Sequence, residues 1–309
     1  MTATSATEPI TTGFPDLTND AVAPRPHRAL TVNAYGMTDK GRVRDANEDQ
    51  FLSAELTKGM RIWQTSLTEP KRQLGIERGH LFLVADGMGG HSAGEEASAL
   101  AVAAGEQFTL NTFKWFFDAD EPAAQRVLAQ FVMALRHADA RILKESTEHP
   151  ELSGMGTTLT MAFQLDAQLC VVHVGDSRAY IYGDDKLYQL THDDTVIAEM
   201  VRQGALKPEQ VAGHRLRHVI TNVVGGDEAV VHVEAHALEV HAGDRLLLCS
   251  DGLTEMVSDT AIAAVLAAET DSQAACTKLV AQANAAGGRD NITVLIVRFD
   301  DADADADGD

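Results

Sequence analysis

The stretch His80–Ser98, HLFLVADGMGGHSAGEEAS, decides how this chain is read. An apolar run, Leu81 to Val84, drives into one acid, Asp86, and glycines follow before a helix-like start. Asp-Gly is a common way to end a strand in a turn. The other reading is that Asp86, beside a turn poor in side chains, holds a metal ion. The rest of the sequence has to decide between the two.

The chain has 309 residues, 45% of them hydrophobic, enough for one large domain or two small ones. No apolar run approaches the ~18–20 residues of a membrane helix. The N-terminus, MTATSATEPITTGFPDLTND, has neither a basic start nor an apolar core, so a cytoplasmic protein without a membrane segment is expected. The formal net charge of -21 argues against nucleic acid or an anionic membrane as partner. It would also repel an anionic substrate unless local cations intervene. Cys170, Cys249 and Cys276 form no CxxC pair and read as buried small hydrophobes.

Residues 1–30, rich in Thr, Pro and Ala without periodicity, read as disordered, and 301–309 as a solvated acidic tail. The tail's DADADG (Asp303, Asp305, Asp307, Gly308) opens like a calcium loop but lacks the twelfth-position glutamate and flanking helices. Between them, 31–300 form the folded domain. LFLVA, LTMAFQ, QLCVVHVG, AYIYG, DRLLLCS and ITVLIVRF are short β-like runs, several apolar throughout as in strands buried on both faces. PAAQRVLAQFVMALRHADARILKES predicts a helix opened by Pro122, with Val127, Phe131, Leu135 and Ile142 on one stripe. SDTAIAAVLAAET and DSQAACTKLVAQANAAGG predict two more, capped by Ser258 and Asp271, with Gly287 as a stop. Hairpins and helix pairs fall in separate runs, which indicates an α+β fold.

The acids fall in a pattern. Asp86 and Asp251 each end a strand and precede glycine; Asp176 lies between two strand-like runs; Asp290 opens a strand after Gly287 and Gly288; Glu48 and Asp49 precede Phe51. Singly, each reads as a turn or a cap. Converging at a sheet's end they would repel one another, and a hard dication that prefers oxygen ligands removes that repulsion. With no obvious Cys/His cluster, zinc is disfavoured. The Gly87 carbonyl, free of a side chain, can approach an ion closely.

Together these residues resemble the metal-dependent serine/threonine protein phosphatases, the PPM or type 2C family, in their bacterial form. The matching blocks are RVRDANEDQF, LFLVADGMGGHSAGEEAS, SGMGTTLTMA, VVHVGDSRAYIY, LTHDDT, VVGG, GDRLLLCSDGLTEMVSD and GGRDNITVLIV, spanning about residues 32–299. The resemblance implies a four-layer α-β-β-α sandwich of two antiparallel sheets flanked by helices. It implies that Asp86 bridges two Mn²⁺ or Mg²⁺ ions, with Gly87 on one and Asp251 and Asp290 on the other. Asp49 and Asp176 match acids holding a third, weaker ion. Arg44 matches the residue that receives the substrate phosphate, and Glu48 and Asn291 match positions that hydrogen-bond waters on the metals. Residues 195–224 match a substrate-facing flap. Substrates would be phosphorylated proteins, targets of a Ser/Thr kinase, met by a monomer. A pseudophosphatase that docks partners without chemistry is the alternative; it predicts losses among these acids, and none is lost.

Two departures from the family stand out. Eukaryotic-type members carry a histidine two residues after the bridging aspartate, a general acid for the leaving group; here that residue is Met88, and His91 lies three further on. The segment 54–80, AELTKGMRIWQTSLTEPKRQLGIERGH, is longer than in compact members and carries Trp63, Lys58, Arg61, Lys71, Arg72 and Arg78. It reads as a tolerated surface excursion or as a dock for an acidic phosphoprotein.

The chemistry suits these residue types. Two ions about 3.5–4 Å apart can lower the pKa of a shared water and fix it for in-line attack, so no nucleophile from the protein is required. Those ions and Arg44, which can fork onto two phosphate oxygens, offset the acidic surface. Rival chemistries lack their residues. The positions six after Cys170, Cys249 and Cys276 are Asp176, Glu255 and Gln282, not the arginine of a CxxxxxR loop, and no P-loop is present. His192 and His214 read as surface polar residues.

Overall fold

The computed structural model describes residues 30–58, 77–89, 93–112, 123–207, 210–211, 213–226 and 231–302. The N-terminal segment, most of 54–80 including Trp63, Pro122, His91 and the acidic tail with its DADADG run lie outside the described residues.

The chain runs β1 (Leu30–Asp39), β2 (Asp49–Lys58), β3 (Glu77–Met88), α1 (Ala93–Thr112), α2 (Ala123–Glu148), β4 (Gly156–Thr157), β5 (Leu159–Leu165), β6 (Gln168–Val174), β7 (Arg178–Gly183) and β8 (Lys186–Gln189). Then come α3 (Val196–Arg202), β9 (Glu234–Glu239), β10 (Arg245–Cys249), α4 (Asp251–Thr254), α5 (Asp259–Ala268), α6 (Ser272–Ala285) and β11 (Ile292–Asp301). One sheet has the order β1-β11-β10-β7-β8 and the other β2-β3-β5-β6-β9, with β4 beside the end of β3. Every pairing between strands is antiparallel.

The apolar run at β3 is explained by what covers its two faces. Phe82 and Val84 pack between the sheets with Leu246, Leu248, Leu295 and Val297. Leu81, Leu83 and Ala85 point the other way, toward α1 with its Ala97 and Ala101, and Phe131, Leu135 and Ile142 of α2 complete the same cluster. The second sheet repeats the scheme: Leu247, Cys249, Val294 and Ile296 face Ile262 and Leu266 of α5 and Leu279 and Ala283 of α6. Alternate residues of a central strand thus enter different layers, and both sets are apolar because both layers are dry. This is the four-layer α-β-β-α sandwich. Each large side chain so buried contributes about 1.5–3 kcal/mol.

Helix boundaries follow local chemistry. Ser258 accepts from the Ala261 N–H and Asp271 from the Ala274 N–H, so both N-caps form as the sequence indicates. The three cysteines are buried, Cys170 in one core and Cys249 and Cys276 in the other, and burial alone pushes the Cys170 thiol up to about 12, leaving no reactive thiolate there.

Candidate functional site

The acids meet at one end of the sandwich because the strand ends are fastened there. Asp49, first in β2, lies opposite Asp86 near the end of β3. The Asp86 N–H donates to Thr158 Oγ1 at 3.0 Å, and its carbonyl accepts from Thr157 Oγ1 and the Thr158 N–H, both at 2.9 Å. The Gly87 N–H donates to the Glu48 carbonyl at 3.2 Å, and Ser98 of α1 donates to the same carbonyl at 2.7 Å. A Cβ on Gly87 would lie 2.0 Å from the Gly94 carbonyl oxygen, so no other residue fits this approach of β3 to α1.

From the second sheet, β10 delivers Ser250 and Asp251. Ser250, fully buried, donates to Asp49 Oδ2 at 2.7 Å and accepts from the Thr293 N–H at 3.0 Å. It therefore joins the two sheets at the acid cluster. Asp290 and Asn291 arrive just before β11. A Cβ on Gly252 would meet the Asn291 carbonyl oxygen at 1.9 Å, so glycine there lets the Asp251 turn close onto the Asp290 turn. Asp176 sits in the turn between β6 and β7, which Asp194 holds by accepting from the Gly175 N–H at 3.0 Å.

An open cavity of about 470 Å³ lies over this end, lined among others by Arg44, Glu48, Asp86, Asp176, Asp251 and Asp290. Asp49 does not line it; it is buried beneath, against Ser250. Asn291 uses its amide on backbone: Oδ1 accepts from the Glu48 N–H at 2.8 Å, and Nδ2 donates to the carbonyls of Lys40 and Ala46, each at 2.9 Å. It holds the loop that carries Arg44 and Glu48. Arg44, 53% exposed, reaches Asp290 Oδ2 at 2.6 Å. That hydrogen bond raises the arginine's pKa above its usual value.

The electrostatics fit a cation site. Burial, then the charges of Asp49 and Asp251, drives the Asp86 carboxyl well above the usual range. Burial, then Asp176, does the same to Asp251. Burial takes Asp49 to about 6 and, with Asp193 next in weight, Asp176 to about 7. Oδ1 of Asp49, Asp176 and Asp251 are all buried without a hydrogen-bond partner among the described residues. Buried carboxylate oxygens left this way are costly, and divalent cations with a preference for oxygen satisfy them. The donor set is oxygen-rich, which suits Mg²⁺ or Mn²⁺ better than zinc.

Several residues around the cavity escaped the sequence reading. His218 lines it, with Nδ1 2.7 Å from Glu255 Oε1. One donor atom from each of His218, Asp251 and Glu255 lies within 4.8 Å of the other two. Glu255 follows Asp251 by four residues, a same-face spacing that could have marked it; nothing local marks His218. Arg178 makes two hydrogen bonds to Asp193, at 2.8 and 2.7 Å, behind the Asp176 turn. Burial opposes that guanidinium's charge, but Asp193 more than offsets it, so its pKa is raised.

A layered sandwich with a buried carboxylate cluster at one end is the class of protein that fold and site define. Within it, the chain belongs to the protein phosphatase 2C family, whose family model matches residues 74–287. It is similar to the serine/threonine protein phosphatase PstP of Mycobacterium tuberculosis, 39% identical over 274 residues. That match covers 89% of this chain but 46% of PstP, so the chain spans about half the length of this relative. It is also 32% identical to the serine/threonine phosphatase stp of Listeria monocytogenes, covering 87% of this chain and 96% of the relative. Among solved structures, the PstP catalytic domain in complex with two manganese ions superposes with a TM-score of 0.68 at 33% identity. It covers 88% of this chain and 100% of that one. No helix among the described residues is long and apolar enough to cross a membrane.

Proposed function

We propose that this protein is a metal-dependent phosphatase that hydrolyses phosphoserine and phosphothreonine in other proteins. The observation that carries the reading is the convergence, under one cavity, of Asp86 with Asp176 and Asp251, the latter two each with an unsatisfied buried oxygen, beside Gly87 and Arg44. The names of the family relatives point the same way.

Asp86, the Gly87 carbonyl, Asp251 and Asp290 would hold two divalent cations, Mn²⁺ or Mg²⁺. For a third, weaker ion the two acids stand differently: Asp176 faces the cavity, whereas Asp49 lies beneath it with Oδ1 as its free oxygen. Bound there, the cations would supply an activated water and charge that offsets the phosphate. The chain's own residues do the rest. Arg44, half-exposed at the mouth, forks onto phosphate oxygens and orients the ester. Glu48 orients water at the rim, its carboxyl raised by burial. Asn291 keeps the Arg44–Glu48 loop in place, and Ser250 fixes Asp49 against the second sheet. A cytoplasmic monomer acting on targets of a Ser/Thr kinase is the setting we infer, and the net charge of -21 favours protein over nucleic acid as partner.

The test is release of p-nitrophenol from p-nitrophenyl phosphate with and without Mn²⁺. Turnover should require the metal, and Asp86→Asn should abolish it while the variant stays folded. Undiminished turnover in Asp86→Asn sinks the reading, and a folded wild type that is inert with every divalent metal returns the pseudophosphatase alternative.

A further inference from the structure

Breaking a seryl or threonyl phosphate leaves an alkoxide, a poor leaving group that needs a proton as it departs. Where the eukaryotic branch has a histidine, this chain has Met88, which has no proton to give. The cavity's other lining groups serve poorly. Asp86, Asp176, Asp251 and Asp290 are the proposed cation donors, and the guanidinium groups of the arginines do not give up protons. Glu48 packs its carboxylate against Gly94, in the first turn of α1. Imidazole is the side chain type suited to proton exchange near neutrality, and among the described residues His218 is the histidine that lines the cavity; Glu255, the remaining lining acid, lies against its ring.

His218 is held for such a role. Its Nδ1 lies 2.7 Å from Glu255 Oε1, a contact that faces that edge of the ring to the carboxylate and leaves Nε2 for the substrate side. The ring is 48% exposed, so solvent can recharge it. The backbone around it is pinned: the Val196 N–H donates to the Val219 carbonyl at 2.9 Å, and the Thr221 N–H to the Asp194 carbonyl at 2.7 Å. Asp194 Oδ2 accepts from the Gly175 N–H at 3.0 Å and from Asn222 at 2.7 Å. The segment carrying His218 is thus tied to the turn that carries Asp176. A histidine oriented by a carboxylate, on a fixed segment at the cavity wall, is the arrangement a general acid requires.

We propose that His218 protonates the leaving oxygen, with Glu255 positioning its ring. The P–O bond to the seryl or threonyl oxygen breaks, its electron pair stays on that oxygen, and the Nε2 proton of the imidazolium passes to it. Water supplies the new phosphate oxygen and releases a proton to solvent, and the neutral imidazole takes one back. The proposal rests on the phosphatase reading above.

The experiment compares kcat/KM for a phosphoserine peptide and for p-nitrophenyl phosphate, whose phenolate departs without help. In His218→Gln, which keeps a donor for Glu255, the aryl-to-seryl ratio should rise about 10²-fold, within the usual span of general-acid catalysis. His218→Asn should raise it similarly. Mn²⁺ affinity by calorimetry should match wild type. A ratio that stays at the wild-type value overturns the proposal, whether both rates fall together or neither does. Weakened Mn²⁺ binding overturns it differently, by making His218, Asp251 and Glu255 a cation site. Wild-type protein inert on both substrates would fail the phosphatase reading itself, an outcome distinct from these.

Discussion

Ser250→Ala tests how the two sheets are joined beneath the site. The hydroxyl is buried, 2.7 Å from Asp49 Oδ2 and 3.0 Å from the Thr293 N–H, so alanine removes one bond to a carboxylate and one acceptor for a backbone donor. A hydrogen bond to a charged group contributes about 1.5–3 kcal/mol, and an orphaned buried donor costs a similar amount; allowing for partial relaxation, a total of about 2–4 kcal/mol is expected. The size should depend on pH. Asp49, raised by burial to about 6, is ionised at pH 8 and protonated at pH 5. A carboxyl held above its unfolded pKa binds its proton more tightly in the native state. Metal-free stability therefore falls as pH rises from about 4 towards 6. Ser250 opposes this by stabilising the carboxylate, so its loss should cost more at pH 8 than at pH 5. Urea unfolding in EDTA at both pH values measures the difference, and a 3 kcal/mol loss at pH 8 corresponds to about 6–12 °C in Tm for a domain of this size. A loss below about 1 kcal/mol at pH 8, or one equal at both pH values, would refute the reasoning.

Gly252→Ala sets a Cβ 1.9 Å from the Asn291 carbonyl oxygen and must push the Asp251 and Asp290 turns apart. We expect Mn²⁺ affinity by calorimetry to fall about tenfold or more, as when support around metal ligands is lost; unchanged affinity would mean that the turns move together. Glu234, contacted by His192 and His236, gives an acid-side prediction. Burial opposes its charge, but hydrogen bonds from both histidines bring it down to about 2. Its contribution is present above the unfolded value and is lost as pH falls towards 2. Glu234→Gln should therefore flatten the loss of stability between about pH 5 and 2, relative to wild type; parallel acid-unfolding curves would contradict this.

The sequence announced those parts of the site that local patterns encode. Asp86 and Asp251 end apolar runs ahead of glycine, and Asp290 precedes one, so a periodicity and a turn were enough to mark them. The caps at Ser258 and Asp271 are legible because a cap acts on an N–H three residues away. What escaped is set by long-range registry. Ser250 meets Asp49 across 201 positions, and Asp194 reaches Gly175 and Asn222 from the far side of a hairpin. His218 acquires Glu255 only when the segment between β8 and β9 folds back over α4. The Asn291 amide also holds the backbone of the Arg44 loop. No one-dimensional pattern tells which side of that asparagine the loop occupies.

The way residues 195–224 are fastened has an evolutionary consequence. Thr195 bridges Ile220, and Val224 exchanges two backbone hydrogen bonds with Thr157, beside the carbonyl of Asp86. The first bridge closes the excursion on itself, the second fastens its far end beside Asp86, and Asp194 ties its near end to the Asp176 turn. Between those stitches, exposed positions such as Arg202, Gln203 and Ala205 can change without touching the main-chain bonds that hold the acids. Such a fold can vary one surface insert while keeping its acid cluster intact, much as a tool keeps its handle when the bit is exchanged.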